Sequence, residues 1–493
     1  MPREPALLTS AGRMPKRSQH RVSEGQDVRS ERPATGRGQP RPAQFAHMLS
    51  VPWHNSLMTA PSSFSASPSR EQLDALKLER LRGLVRAILP HNRFYAGKLA
   101  RETHELASLD ALEQWPFTFK EELVEAAAAA GIPGNLTWPP DRYSRFHQTS
   151  GTHGRPMPVF DTADDWAWWM ACWESILDRG GVRPGDRVLV ASSFGPFAGF
   201  WSCFDALLSR QVMAIPTGGM TTFARLEMAR SIGATVLVAT PSYSLHLAEV
   251  AADHKLDLKH VPIRLVIVAG EPGGSVPAVR SRIREAWGAA LLDHAGATEV
   301  GPWGVGDLAG HGLDVIEPWF HAEFLSVKTG QAAEPGELSE LVLTTLGRVG
   351  APLIRYRTGD LVRPRWPTPD AIEAGACPWV RLEGGVLGRT DDMLVVRGVN
   401  IFPGAIDDIV RSFPEVVEYR LTVATHESLD VLKLEIEDRL ADPGRVAREM
   451  QVRLGLRVDV AAVSAGSLPR FEGKGRRIVD RRDTRRKEDR KEG

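Results

Sequence analysis

The run RLVIVAG at residues 264–270, continued by Glu271 and Pro272, places four large aliphatic residues side by side and stops on glycine. A strand with one wet face alternates polar and apolar residues; an unbroken apolar run is what a strand covered on both faces requires. Four runs of the same make-up flank it: RVLVASSF (187–194), QVMAIP (211–216), TVLVAT (235–240) and ALLDHAG (290–296). Helix-like stretches separate them. The pattern predicts an α/β fold, with parallel strands joined by crossover helices. Ligands of such sheets bind beyond the carboxyl ends of the strands, so the loops after these runs are where chemistry is expected.

Outward from this block, Leu78, Leu81, Leu84, Val85 and Ile88 recur at helical spacing between Glu71 and Leu89, and Pro90 marks a stop. Trp166, Trp168, Trp169 and Trp173 share that spacing and read as packing. Residues 1–69, rich in Pro, Arg, Ser and Gly, read as a disordered leader. The expected organisation is a large N-terminal domain over 70–388, with mainly parallel sheets, and a small mobile C-terminal α+β domain over 389–480. The small domain is drawn from EYRLTVAT, VLKLEIED, a helix near 446–454 and RVDVAAV. A charged tail, 481–493, follows.

Composition narrows the function. A chain of 493 residues exceeds a single core. Lys and Arg total 61, matching 61 Asp and Glu, so no overall charge gathers nucleic acid or anionic lipid, and a small substrate is expected. Cys172, Cys203 and Cys377 lie far apart, without the spacing of a zinc site or a disulfide framework. No apolar run is long enough for a membrane span. These features predict a cytoplasmic protein.

Five segments are rich in groups that do chemistry. Thr149-Ser150-Gly151-Thr152-His153-Gly154 gathers glycines and hydroxyls in a turn able to approach phosphate oxygens, although Arg155-Pro156 rules out a Walker A loop. Ala269-Gly270-Glu271-Pro272 and Gly296-Ala297-Thr298-Glu299 each follow a predicted strand. Glu299 beside a hydroxyl suits Mg²⁺ against phosphate oxygens, although a single Glu is more often a capping or surface acid. Asp360, after Thr358-Gly359, reads either as a ribose acceptor or as a turn acid. Lys474, between Gly473 and Gly475, taken alone is a surface lysine.

In this order the segments resemble the acyl-adenylate-forming (AMP-binding) superfamily, and within it the phenylacetate-CoA ligase branch. GRTDDMLVVRGVNIFP (388–403), IRYRTGDL (354–361) and EGKGRRIVD (472–480) carry the likeness, which runs from about Leu73 to Asp480. The resemblance implies that Thr149, Ser150, Gly151, Thr152 and Gly154 grip the triphosphate. Gly270, Glu271, Pro272 and Gly296 would border the nucleotide. Thr298 and Glu299 would act at phosphate and Mg²⁺, and Asp360 and Arg389 would hold the ribose. Lys474 would be the catalytic cation of adenylation, and Asp391 the hinge between two half-reactions. Phe194, Phe197, Gly199, Phe200 and Ala269 would build the acid pocket, whose aromatics suit a flat, apolar acid. Relatives usually carry Tyr or Phe where this chain has Ala295, and a second Thr where it has His153. Some hold a structural zinc through cysteines; no matching cluster exists here, and no zinc is expected.

The implied reaction is ATP-dependent ligation of an aromatic or arylacetic acid to CoA, with AMP as product. The expected partners are the acid, ATP and CoA, with neither nucleic acid nor membrane, and with room for a homodimer. One alternative passes the acyl group to an amine or carrier protein, marked by pyrophosphate exchange without a CoA product. Another is a nucleotide-binding homologue without turnover, marked by ATP binding without pyrophosphate release.

Overall fold

The computed structural model describes residues 68–99, 106–149, 156–390, 393–396, 399–426, 429–470 and 477–482. Helix α1 (Arg70–Ile88) starts in a capping box: Gln72 N donates to Ser69 Oγ at 3.2 Å, and Ser69 N donates to Gln72 Oε1 at 3.0 Å. Its buried stripe contains Leu81, Leu84, Val85 and Ile88, and also Lys77 and Arg80. Their partners lie far along the chain. Glu317 accepts from Lys77 Nζ at 2.8 Å, from Arg70 Nη2 at 2.8 Å and from Val380 N at 2.7 Å, while the Arg80 guanidinium lies 3.7 Å from the Trp319 ring centroid. Two short helices follow, α2 (Arg93–Lys98) and α3 (Lys120–Ala130).

Strands β1 (Arg145–Gln148) and β2 (Pro158–Asp161) form an antiparallel pair around residues 149–157. Helix α4 (Ala163–Arg179) carries the four tryptophans, and all four are buried. Then come β3 (Arg187–Val190), α5 (Ala198–Ser209), β4 (Met213–Pro216), α6 (Thr222–Ile232), β5 (Val236–Ala239), α7 (Pro241–Asp253), β6 (Leu265–Val268), α8 (Pro277–Trp287) and β7 (Ala290–Ala297). The five strands lie parallel in the order β4-β3-β5-β6-β7. Successive side chains of one strand enter opposite cores, as the two-residue strand period requires. Val188, Val236, Val238, Leu265 and Ile267 pack with the α4 and α5 side, while Leu189, Leu237, Val266 and Val268 pack with α6, α7 and α8. Both faces are therefore covered, which is why the runs are apolar throughout.

The sheet does not stay parallel. β8 (Gly301–Gly306), β9 (Gly312–Val315), β13 (Pro364–Arg365) and β14 (Arg381–Glu383) extend it antiparallel beyond β7 to nine strands, with a short helix α9 (Pro369–Glu373) between β13 and β14. A separate antiparallel sheet is built from β10 (Phe320–Ser326), β11 (Ser339–Thr345), β12 (Tyr356–Val362) and β15 (Gly388–Arg389). The short links between β7 and β8 and between β8 and β9 leave no room for a crossover and so require antiparallel pairing.

Further along lie the β16 (Leu394–Val396) and β17 (Val399–Ile401) pair, α10 (Pro403–Arg411), β18 (Val416–His426), β19 (Leu429–Asp438), α11 (Pro443–Leu454), β20 (Asp459–Ala462) and β21 (Ile478–Asp480). The last four strands form a sheet in the order β20-β19-β18-β21. Its core, including Ile406, Leu421, Leu434, Val446 and Met450, draws only on this part of the chain. Among the described residues no helix is long and apolar enough to cross a membrane.

Candidate active site

The carboxyl ends of β5, β6 and β7 present the loops singled out by sequence. After β6, Gly270 has φ +95°, a conformation that favours glycine, and a Cβ there would meet Thr240 Cγ2 at 3.5 Å. The turn aims Glu271 at the start of α7, where Glu271 Oε1 accepts from Ser242 N at 2.8 Å. A carboxylate suits that helix end, whose first N–H groups have no partner within the helix. Pro272 follows, half-buried.

Between β7 and β8 the chain turns through Thr298 and Glu299. Burial works to raise the Glu299 pKa, yet the carboxyl is held below its ordinary value by Lys120, whose Nζ lies 3.0 Å away, and by the Tyr356 hydroxyl donating at 3.0 Å. The result is an anion kept ionised in a half-buried setting. Arg348 donates to the Glu299 carbonyl and ion-pairs with buried Asp161 at 2.7 Å. Lys120 from α3 and Tyr356 from β12 thus converge on the Glu299 carboxylate, while Arg348 from the segment before β12 holds its main chain.

Thr149 closes the base of the glycine-rich segment: its N donates to the Met157 carbonyl and its Oγ1 accepts from Met157 N, each at 3.0 Å. Met157, Val159, Glu299 and Arg348 line one narrow cavity, so the base of that segment and Glu299 share a space. Ser150, Gly151, Thr152 and Gly154 fall outside the described residues, as do Asp391 and Lys474.

Asp360 on β12 is in register with Arg389 on β15. Arg389 Nη1 donates to Asp360 Oδ1 at 3.2 Å and to the Thr358 carbonyl at 3.1 Å. Gly359 between them has φ +74°, and a Cβ there would stand 3.0 Å from Arg389 Nη2. The aromatic loop is less uniform than its sequence suggests. Phe194 folds inward against Trp201 and Phe204, at ring separations of 5.0 and 5.7 Å, whereas Phe197 is 43% exposed. Gly199 is exposed, and Phe200 and Ala269 are half-buried. Gln148 N donates to the Pro196 carbonyl at 2.8 Å, tying this loop to β1.

Ala295 is half-buried and in register with Gly304, where an added Cβ would meet the Ala295 Cβ at 3.2 Å. Two small residues face each other there. Next to them, burial lowers the His294 pKa from 6.5 to about 4, and its Nδ1 lies 2.8 Å from the Gly304 carbonyl. An unfolded chain takes up this proton near 6.5 and the folded chain only near 4. Stability attributable to His294 is therefore expected to fall as pH drops through that window, by on the order of 3 kcal/mol. Asp293, pushed up to about 6 by burial, works in the opposite sense, so the comparison that isolates the imidazole is wild type against His294→Gln. Melting temperatures between pH 4 and 7 should decline less in the variant; equal declines would refute the assignment.

The sequence did not single out Lys120, Tyr356 or Arg348. Their partners lie 179, 57 and 49 residues away in the chain, beyond any local pattern.

Comparison with known proteins adds the following. Residues 86–343 match the AMP-binding enzyme family, and residues 398–482 match the AMP-binding enzyme C-terminal domain. The chain is similar to phenylacetate-coenzyme A ligase of Pseudomonas putida, with 28% identity over 83% of this chain and 95% of the relative. It is also similar to the Thermus thermophilus phenylacetate-coenzyme A ligase, with 29% identity over 84% and 97%. Among solved structures, 2-hydroxyisobutyryl-CoA ligase in its postadenylation state with 2-HIB-AMP superposes with a TM-score of 0.79 at 26% identity, covering 88% of this chain and 96% of that one. The same relative in its thioesterification state, with 2-HIB-AMP and CoA, superposes with a TM-score of 0.62 at 27% identity, covering 86% and 92%.

Proposed function

The chain belongs to the AMP-binding enzyme family, and from that premise we propose that it is an AMP-forming acid–CoA ligase acting on an aromatic or arylacetic acid. The observation that carries the proposal is Glu299, held ionised by Lys120 and Tyr356 beside the base of the glycine-rich segment. In the first half-reaction an oxygen of the acid's carboxylate attacks the α-phosphorus of ATP and pyrophosphate leaves. No general base is required, because the acid is already ionised. In the second, the CoA thiol loses its proton, sulfur attacks the acyl carbon of the mixed anhydride, and AMP departs.

Each residue has work in this scheme. Thr149 anchors the segment whose Ser150, Gly151, Thr152 and Gly154 face the phosphates. Asp360, oriented by Arg389, accepts from ribose hydroxyls. The stretch from Gly270 to Pro272, with Gly296, borders the base, and Glu271 fixes it to α7. Phe194, Phe197, Gly199, Phe200 and Ala269 surround the acid. Lys474 offsets charge at the reacting carboxylate and phosphate, and Asp391 is the pivot that lets it withdraw.

Mg²⁺ fits the donor set, since this ion takes few carboxylates and completes its shell with phosphate oxygens and water. Glu299, kept ionised, would hold it with Thr298 adjacent, and bound there it would neutralise phosphate charge.

A panel of aromatic and arylacetic acids, each with ATP and with or without CoA, tests the reading. Acid-dependent pyrophosphate release together with a CoA thioester is expected. Pyrophosphate release without a thioester would move the acceptor to an amine or carrier protein, and no release with any acid would refute ligation.

A further inference from the structure

The C-terminal sheet and its helices meet the large domain at polar points that complete groups left open elsewhere. Helix α8 has Val276 at its N-cap and no side-chain cap of its own. Asp408 on α10 supplies one, accepting from Ala278 N at 3.2 Å. One turn along, Arg282 Nη1 donates to the Val416 carbonyl at 3.2 Å. The third point is Arg477. Its guanidinium donates to Glu418 at 2.6 and 3.1 Å within the small domain and, from another nitrogen, to Ser242 Oγ at 2.9 Å on α7. Glu271 Oε2 lies 4.0 Å from the same nitrogen. Ser242 is the residue whose N–H binds Glu271, so this contact reaches the loop after β6 directly.

We propose that Arg477 is a positioning residue for adenylation: it clamps the small domain to the Ser242–Glu271 corner, and the Asp408–α8 and Arg282–Val416 contacts complete a joint that parts before thioesterification. The proposal rests on the two-step reading above. Two features favour it. Arg477 stands three residues after Lys474, so fixing it limits how far the chain bearing that lysine can stray from the loop after β6. The fold also superposes better on the relative's postadenylation state than on its thioesterification state, so the joint described belongs to the former arrangement. A buried guanidinium shared by two domains orients one against the other through several directed bonds, which a lysine reproduces only in part.

The experiment separates the half-reactions in the full chain. Phenylacetate-dependent ATP–pyrophosphate exchange reads the first, and thioester formation from synthetic phenylacetyl-adenylate plus CoA reads the second. Arg477→Ala should lower exchange by about tenfold or more while changing thioester formation by less than about twofold, with Arg477→Lys recovering part of the loss. Ser242→Ala and Asp408→Ala leave the Arg477–Glu418 pair in place and test docking; because Asp408 also pairs with Arg453 inside the small domain, Arg453→Ala is the control, and the first two should each lower exchange several-fold while the control does not. Equal losses in both half-reactions, or no loss of exchange in any variant, overturn the proposal. Hydrogen exchange supplies a readout independent of substrate: the Ala278 amide should exchange faster in Asp408→Ala, and unchanged protection overturns the joint. If the wild-type chain shows no phenylacetate-dependent exchange, the substrate reading fails by itself, and the amide measurement still decides the joint.

Discussion

Lys474→Ala is expected to slow acyl-CoA formation from free acid by roughly 10²–10³-fold, while leaving conversion of preformed acyl-adenylate within about threefold of wild type. The asymmetry follows from where charge gathers. When a carboxylate attacks a triphosphate, two anions are brought together and a third departs, and a cation at the reacting oxygens lowers that barrier in the transition state. Thiol attack on the mixed anhydride puts charge on the acyl oxygen and then on AMP, at a stage when, in the proposed scheme, the lysine would have withdrawn. Lys474→Arg should not restore full activity, because a planar fork presents its donors differently from a compact ammonium. The measurement is a pair of steady-state assays, one started from acid and ATP, the other from acyl-adenylate. Full activity of the alanine variant from free acid would rule out the role.

The largest stability effect is expected at Glu317. This carboxylate is 2% exposed and accepts from equally buried Lys77, from Arg70 and from Val380 N. Among the described residues, Glu317→Ala would leave the buried Lys77 ammonium with only the part-exposed Asp74, 2.7 Å away, at a cost of up to about 3–5 kcal/mol, the range for breaking a buried pair. A urea midpoint shifted strongly downward, with the slope of the transition unchanged, is the expected record. Lys77→Met on top of Glu317→Ala should recover part of the loss, because the under-compensated charge goes with it; a double variant as unstable as the sum of the singles would refute the coupling. Burial works to raise the Glu317 pKa, but Lys77 and Arg70 hold it below its ordinary 4.5. The contribution is therefore complete above the unfolded value and is lost as pH falls through the lower folded value, so acid should narrow the gap between wild type and Glu317→Ala.

The parallel half of the large sheet was legible because physics writes it locally. Strands covered on both faces must be apolar throughout, and β3, β5 and β6 announce themselves in four letters each. The antiparallel extension was not. β8 reads GPWGVG, a string whose glycines and proline signal turns, and it becomes a strand because β7 and β9 pair with it on either side. The site divides the same way. Glu271, Glu299, Asp360 and Arg389 were visible as members of ordered motifs. What holds them was hidden: Lys120 reads as the start of an ordinary helix, and Arg348 as a loop arginine. Lys77 and Arg80 interrupt an otherwise apolar helical face, and only partners some 240 residues away explain why burying them is tolerable. The aromatic loop was legible only in composition. Its aromatics suit a flat, apolar acid, but which way each ring points is set by backbone geometry: Phe194 packs against Trp201 and Phe204, and Phe197 is exposed.

That joint between α1 and Glu317 bears on the order in which the protein can be made. Leu81, Leu84, Val85 and Ile88 share a core with nearby Leu112 and Trp115 and with Leu346 and Ile354, so α1 cannot complete its packing until those distant segments emerge. At a synthesis rate of about 5–20 residues per second, the 240 residues between Lys77 and Glu317 take roughly 10–50 s to appear. During that interval an amphipathic helix waits with its apolar stripe only partly covered. Nascent chains stalled before residue 317 should accordingly bind chaperones through this helix, and those stalled well beyond residue 354 should release them.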